Sequence, residues 1–301
     1  MLASLVKDWS KHKYLYLMVV PLAAYYVVFH YLPMYGAIIA FKDYNPGTGI
    51  AGSPWVGLRH FDDFINGPYF WRLMKNTFLL SFYSLVFGFP APILLALLIN
   101  ELRGNVLKRF VQSITYLPHF ISVVVISGIV IDMTNSNGLI NNLIVLFGGE
   151  RSTLTTDPGW FRTIYVGSSI WTELGWGTII YLAALSTVNP HLYEAADMDG
   201  AGRLKKACHI TIPAIAPVIV ILLILQMGRL LSVGWEKVLL LYNPLVYDTA
   251  DVIATYVYRR GLEQADYSYS AAIGLFNSLI NFALLFIANK ISQKTNETSL
   301  W

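Results

Sequence analysis

Six stretches of the 301-residue chain are dominated by apolar residues, and more polar segments separate them. They lie near 14–41, 77–99, 112–132, 161–186, 212–232 and 270–289. About 20 consecutive apolar residues cover the roughly 30 Å of hydrocarbon in a bilayer as a helix. The pattern therefore predicts an all-α membrane protein with six transmembrane helices. A segment 1–13 precedes the spanning region 14–289, and a tail 290–301 follows it. The first stretch contains Pro21 and Pro33, which predict a bend or a tilted entry. The second contains Phe-Gly-Phe-Pro-Ala-Pro over 87–92. Such breakers are tolerated in spans whose neighbours satisfy the freed backbone groups.

Composition supports the bilayer as solvent. Hydrophobic residues make up 55% of the chain and charged residues 13%, about half the charge of a globular domain. The net charge of +3 is too small to suggest a nucleic-acid partner. The placement of charge says more than its sum. Lys7, Lys11, Lys13, Arg103, Lys108, Arg109, Arg203, Lys205, Lys206, Lys290 and Lys294 cluster at one set of span ends. The other set is longer but holds only Lys42, Arg59, Arg72, Lys75, Arg151, Lys237, Arg259 and Arg260. The positive-inside rule makes the first set cytoplasmic, with both termini on that side. The lysines before the first apolar run resemble a signal peptide. No small-x-small cleavage site follows, so an uncleaved first span is expected.

The outer segments differ in character. Residues 42–76 are rich in Trp, Phe, Pro and Gly. Residues 137–149 have the pattern of a short amphipathic helix, which fits either the outer membrane surface or an ordinary packed loop. Asn296-Glu297-Thr298 matches a glycosylation acceptor, but a cytoplasmic tail leaves it without meaning. The single cysteine, Cys208, excludes an internal disulfide and reads as a small packing residue. There is no phosphate-binding Gly-x-x-x-x-Gly-Lys-Ser/Thr, no His or Cys pair at metal-ligand spacing and no Gly-x-Ser-x-Gly nucleophile. Nothing argues for an enzyme or for a cofactor held by this chain.

Charge inside a span is expensive and marks a functional candidate. Glu173 lies mid-span in Trp171-Thr-Glu-Leu-Gly-Trp176, and Arg229 lies late in the fifth span. Either they line a polar cavity or they form ion pairs. Asp132 reads as an interfacial end residue.

Between the fourth and fifth spans the chain turns small and charged. Asn189-Pro190 predicts a capped helix start, and residues 192–199 contain no breaker. Gly200 can take the left-handed conformation that ends a helix. A second short helical run is expected from about 202 to 210, and Pro213 fits the first turn of the fifth span. The region 189–211 thus predicts a cytoplasmic helical hairpin. Glu194-Ala-Ala is followed by three residues, Gly200, nine residues and Ile210-Thr-Ile-Pro213. This spacing resembles the signature of the membrane (permease) subunits of binding-protein-dependent ABC importers, with Ile212 in place of the usual leucine. Further matches extend the resemblance over nearly the whole chain: Met34-Tyr-Gly-Ala-Ile-Ile-Ala-Phe-Lys-Asp-Tyr-Asn-Pro46, Trp55-Val-Gly-Leu-Arg-His-Phe61, Phe70-Trp71, Asn76-Thr77, Asn243-Pro-Leu-Val-Tyr-Asp248 and Thr255-Tyr-Val-Tyr-Arg259. They look like the complex-carbohydrate branch, and within it like the first permease subunit of an alginate or related importer.

The resemblance implies a bacterial inner-membrane complex. Its partners would be a second permease subunit, two ATPase subunits that bind ATP and Mg, and an extracytoplasmic sugar-binding protein. It also implies that Tyr193, Glu194, Ala195, Ala196, Asp199 and Gly200 form the coupling helix that docks on an ATPase. Glu194 would meet a basic ATPase residue, the alanines would allow close packing, and Gly200 would set the corner. For the sugar path the candidates are Glu173, Trp171, Trp176, Arg229, Trp235 and Asn277, with Tyr181 beside them. Arg229, with Lys237, points to an acidic sugar such as a uronate. Two rivals remain: an ion-coupled secondary transporter, which would show inverted repeats, and an assembly subunit without transport of its own.

Overall fold

The computed structural model describes residues 2–102 and 104–296, the side chains of 2–11, 295 and 296 excepted. Arg103, the side chains of Lys7 and Lys11, and residues 297–301 with most of the glycosylation sequon lie outside the described residues. The regular elements described are helical, apart from one isolated bridge between Lys42 and Trp55. Five stretches are long and apolar enough to cross a membrane: His12–Phe41, Phe70–Glu101, Val123–Leu146, Arg203–Met227 and Tyr267–Lys294. The chain divides into two compact units, residues 1–67 with 259–275, and 68–258 with 276–301.

In the first unit, helix α1 (Leu2–Tyr26) turns at His12, where φ is −120°, and continues through Pro21. The expected bend appears instead as a wide π-type turn over Val27–Tyr31, immediately before Pro33. The same device recurs at Ser84–Gly88 before Pro90 and at Ala207–Thr211 before Pro213. A proline offers no N–H and crowds the carbonyl four residues earlier, so the helix loosens there instead of breaking. The aromatic-rich loop after α1 is tightly built. The Lys42 ammonium donates to the Ile50 and Ser53 carbonyls at 2.7 and 3.2 Å. Phe41 stacks on Trp55, and the Tyr44 amide donates to Ser268 at 2.9 Å.

The second unit contains α2 (Phe70–Tyr83), α3 (Pro90–Glu101), α4 (Asn105–Tyr116), α5 (Val123–Thr134), α6 (Leu139–Leu146), α7 (Pro158–Leu185), α8 (Pro190–Met198), α9 (Ile212–Met227), α10 (Trp235–Leu241) and α11 (Ile253–Tyr258). The helix α12 (Tyr267–Asn296) contributes its residues from 276 onward. One core joins α2, α5, α7 and α10 through Leu80, Val130, Phe161, Val166 and Val238. A smaller one, Ala96, Tyr181, Leu185 and Ile215, joins α3, α7 and α9.

Polar side chains knit the first core together. Asn76 is buried, and its amide donates to the Asp248 and Asp251 carbonyls at 3.0 and 3.1 Å. Its own carbonyl accepts from Arg162 at 2.9 Å. Thr77 accepts the Ile253 amide at 3.0 Å. Arg72 pairs at 3.0 Å with Asp251, whose side chain is fully buried.

Several expectations need correction. The third stretch, 112–132, is not one helix: the chain tightens at Leu117–Phe120 around Pro118, and Ser122 caps a new start. The helix of the fifth stretch ends at Met227, so Arg229 lies just beyond it. The second arm of the hairpin runs without interruption into α9, as Arg203–Lys206 followed by the wide turn Ala207–Thr211. α7 spans 28 residues, about 42 Å, but is not among the five most apolar stretches. Its charges, Arg162 and Glu173, and its Ser, Thr, Trp and Gly residues lower its hydropathy. Ser168, Ser169, Thr172 and Thr178 donate to carbonyls one turn back at 2.6–3.1 Å, so the helix satisfies them itself.

Gly175 brings α7 against the end of α4, where an added Cβ would overlap the Thr115 carbonyl oxygen. Gly177 lies against Pro92, with a Cβ 3.0 Å away. The backbone at Thr115 cannot give way as a side chain could. Gly175→Ala should therefore destabilise the folded chain by about 1–3 kcal/mol, the usual cost of overpacking. Gly167→Ala, whose Cβ meets nothing within 4 Å, should leave the melting temperature in detergent close to wild type. Equal melting temperatures for the two variants would refute the close-approach reading.

Candidate functional site

Two features of the second unit carry chemistry. The first is a cleft of about 500 Å³ between the α2–α3 joint, α7 and the end of α9. The wide turn Ser84–Gly88 forms one wall, Glu173 and Ser169 another, and Gln226 and Arg229 a third. The Glu173 carboxylate lies 3.2 Å from Nδ1 of His119, without hydrogen-bond alignment. The His119 ring stacks flat on Trp176, with centroids 4.5 Å apart. Arg229 meets no carboxylate among the described residues.

Lys237 of α10 reaches the same region. Its ammonium donates to Ser169 at 2.9 Å and lies 5.3 Å from the Tyr165 ring centre. Burial pushes its pKa down to about 8, although the Glu173 charge works in the other direction. The cleft thus has a carboxylate, Glu173, beside His119, and a guanidinium, Arg229, that meets no carboxylate among the described residues; the buried Lys237 amine adjoins it through Ser169.

The sequence candidates separate on this geometry. Glu173, Arg229 and Tyr181 line the cleft. Trp176 reaches it only through His119. Trp171 faces a different, apolar groove on α7. Trp235 stacks on Tyr258 at 4.9 Å. Asn277 approaches the Leu231 carbonyl at 3.5 Å, beside Asn281, which holds the Leu231 amide at 2.9 Å. Sequence reasoning missed His119, Ser169 and Gln226. Only His119 carried a signal, in the Leu-Pro-His-Phe interruption of an apolar run.

The second feature is the hairpin. Asn189 caps α8 by accepting the His191 amide at 3.0 Å, and Gly200 takes φ +70°. Glu194 is exposed and pairs with His191 at 3.0 Å, one turn away on the same helix. Tyr193 and Ala196 face inward and are half-buried, whereas Ala195 faces out. The Tyr193 hydroxyl hydrogen-bonds Thr211 at 3.0 Å, and Lys206 pairs with Asp197 at 2.7 Å. Both links tie α8 to the base of α9. Met198 and Leu204 stand 90% and 82% exposed, and Leu192 is half-exposed.

Residues 88–297 match the family of binding-protein-dependent transport system inner membrane components. The chain belongs to this family. It is thus the permease, the membrane component of an ABC transporter, and ATP hydrolysis lies on other subunits. The permease is 49% identical over 292 residues to the polygalacturonan/rhamnogalacturonan transport system permease protein YteP of Bacillus subtilis (strain 168), covering 97% of this chain and 91% of that one. It also resembles a chain in the crystal structure of a bacterial ABC transporter involved in the import of the acidic polysaccharide alginate. That match has 43% identity and a TM-score of 0.89, over 97% of this chain and 99% of the other. A chain in the bacterial alginate ABC transporter in complex with alginate pentasaccharide-bound periplasmic protein gives 42% identity and a TM-score of 0.90, over 98% and 99%.

Lys237 supplies a pH test. The folded pKa lies near 8 and the ordinary value is 10.5. Between these values the unfolded chain holds a proton that the folded chain has lost, so stability rises with pH. The cost is fully present below pH 8 and is relieved as pH rises toward 10.5. Wild type should therefore gain stability relative to Lys237→Met across that window in thermal unfolding. A pH-independent difference would contradict the burial of a reluctant ammonium.

Proposed function

We propose that this permease pairs with a second permease subunit to form the path for oligosaccharides, and that these are acidic fragments of polysaccharides. A soluble binding protein delivers the sugar from outside, and two ATPase subunits with ATP and Mg drive transport from the cytoplasm. α7 is the fourth of six spans, and both termini lie in the cytoplasm. The observation that carries the substrate class is Arg229, a cation at the cleft that meets no described carboxylate. The relatives support it, since alginate is an acidic polysaccharide and galacturonan is a chain of carboxylated sugars.

Coupling runs through α8. Its exposed Met198, with Leu204 beyond the turn, forms an apolar surface that water would not favour and that a cleft in an ATPase subunit would bury. Tyr193 then acts as a strut: its bond to Thr211 passes motion of α8 to α9, whose far end carries Gln226 in the cleft wall, with Arg229 of the same wall just after the helix. Ala196 permits the close approach on this inner side and Ala195 on the outer side. Glu194 exchanges His191 for a basic ATPase residue when the complex forms, and Asp199 adds a second carboxylate. Gly200 fixes the corner, because a β-branched residue at φ +70° would be strained. The cycle is alternating access by rigid-body movement.

Two experiments follow. Glu194→Lys and Gly200→Val should abolish uptake while the subunit still assembles in the membrane, and Tyr193→Phe should lower the sugar moved per ATP hydrolysed. Wild-type uptake and ATPase stimulation in all three would reject the coupling role. Arg229→Ala should weaken handling of a uronate oligomer by about 2 kcal/mol, roughly thirtyfold, the scale of a lost charge-assisted hydrogen bond. A neutral oligomer should be unaffected, and an equal loss for both would remove Arg229 from carboxylate recognition.

A further inference from the structure

On α7 the cleft and a second, apolar groove lie on different faces. Glu173, Gly177 and Ile180 belong to the cleft, and Thr163, Gly167 and Trp171 to the groove. At 100° per residue the two stripes are roughly a third of a turn apart. The groove has a volume of about 380 Å³, and α5 and Ile140 of α6 complete its walls. Its polar wall groups are few. Ser168 and Thr134 already donate to carbonyls of their own helices at 2.6 and 2.7 Å, so neither asks for a polar ligand.

The groove has a length as well as a character. Trp160 stands in the first turn of α7 and Trp171 eleven residues further on, and both line it. Eleven residues of helix rise about 16 Å. Half of a roughly 30 Å hydrocarbon core is about 15 Å. The groove therefore runs from the outer end of α7 to about the middle of the membrane, the depth reached by a lipid chain of one leaflet.

The rim points the same way. α6 carries Leu139, Leu143 and Leu146 along one face, at i, i+4 and i+7, and all three are exposed, with Phe147 after them. Its buried polar side chain, Asn141, is held by the Asn135 and Ser152 carbonyls at 2.8 and 3.0 Å. Arg151 locks the adjoining turn through the Ser136 carbonyl at 2.7 Å. This apolar face is rigidly presented, and Val124, Val125 and Ile131 on α5 are exposed as well. In an importer whose path runs between two permeases, the face of α7 turned away from that path meets lipid.

We propose that the groove between α5, α6 and α7 holds an acyl chain of an outer-leaflet phospholipid. The inference rests on the orientation and path assigned under Proposed function. The test uses the whole complex in vesicles of phosphatidylcholine, or of the same lipid brominated at mid-chain. The Trp171 fluorescence is taken as the difference between wild type and Trp171→Phe, with Trp160→Phe as a second reporter pair. Brominated lipid should quench this component. Gly167→Leu, which fills the groove from a position with open space at its Cβ, should abolish that quenching. An unquenched Trp171, covered by protein, would overturn the proposal, as would quenching that Gly167→Leu leaves unchanged. Sugar uptake by the same vesicles is scored separately. A complex that is quenched but does not transport counts against the importer reading and for the lipid site.

Discussion

The contact of the half-buried Arg72 with the fully buried carboxylate of Asp251, with Asn76 beside it, is the constraint on which the second unit depends. Asn76 uses its amide on two carbonyls of the 247–251 segment and its carbonyl on Arg162. One side chain thereby ties the middle of α2 to the first turns of α7 and the loop leading to α11. Removing Arg72 would leave the buried Asp251 carboxylate stranded, which is the main cost of breaking such a pair. The net value of the pair is much smaller, so its main effect is to specify one arrangement. That arrangement also seats α10, whose Val238 lies in the same core and whose Lys237 reaches the cleft.

α7 solves a second problem. A helix beside a polar cleft must carry polar groups without leaving them unsatisfied in hydrocarbon. Its serines and threonines return their protons to carbonyls one turn earlier. Gly175 and Gly177 remove side-chain bulk where α4 and α3 approach. The helix can thus present a charged cleft on one face and a dry groove on another.

Much of this was legible in the sequence. Apolar runs predict the helices because the bilayer demands length and hydropathy, and the hairpin is spelled out locally by Asn189, Pro190 and Gly200. The break at 117–122 was missed because hydropathy does not register a proline-centred interruption of one turn. The roles of Asn76 and Thr77 could not be read, since their partners lie far away in the chain, Arg162 by 86 residues and Asp251 and Ile253 by more than 170. Among the site residues, spacing brought out Glu173 and Arg229 as charges in apolar surroundings. Trp171, Trp176, Trp235 and Asn277 were chosen by residue type alone. An aromatic ring in a span has too many uses for its type to say which way it faces.

The central claim is that energy enters at α8 and that the cleft above it selects acidic oligosaccharides. Its most direct test is the ATPase activity of the complete complex with its binding protein, measured across neutral and acidic oligosaccharides of matched length. The account predicts stimulation by uronate oligomers well above that by neutral ones. Equal stimulation by both, or by neither, would contradict it.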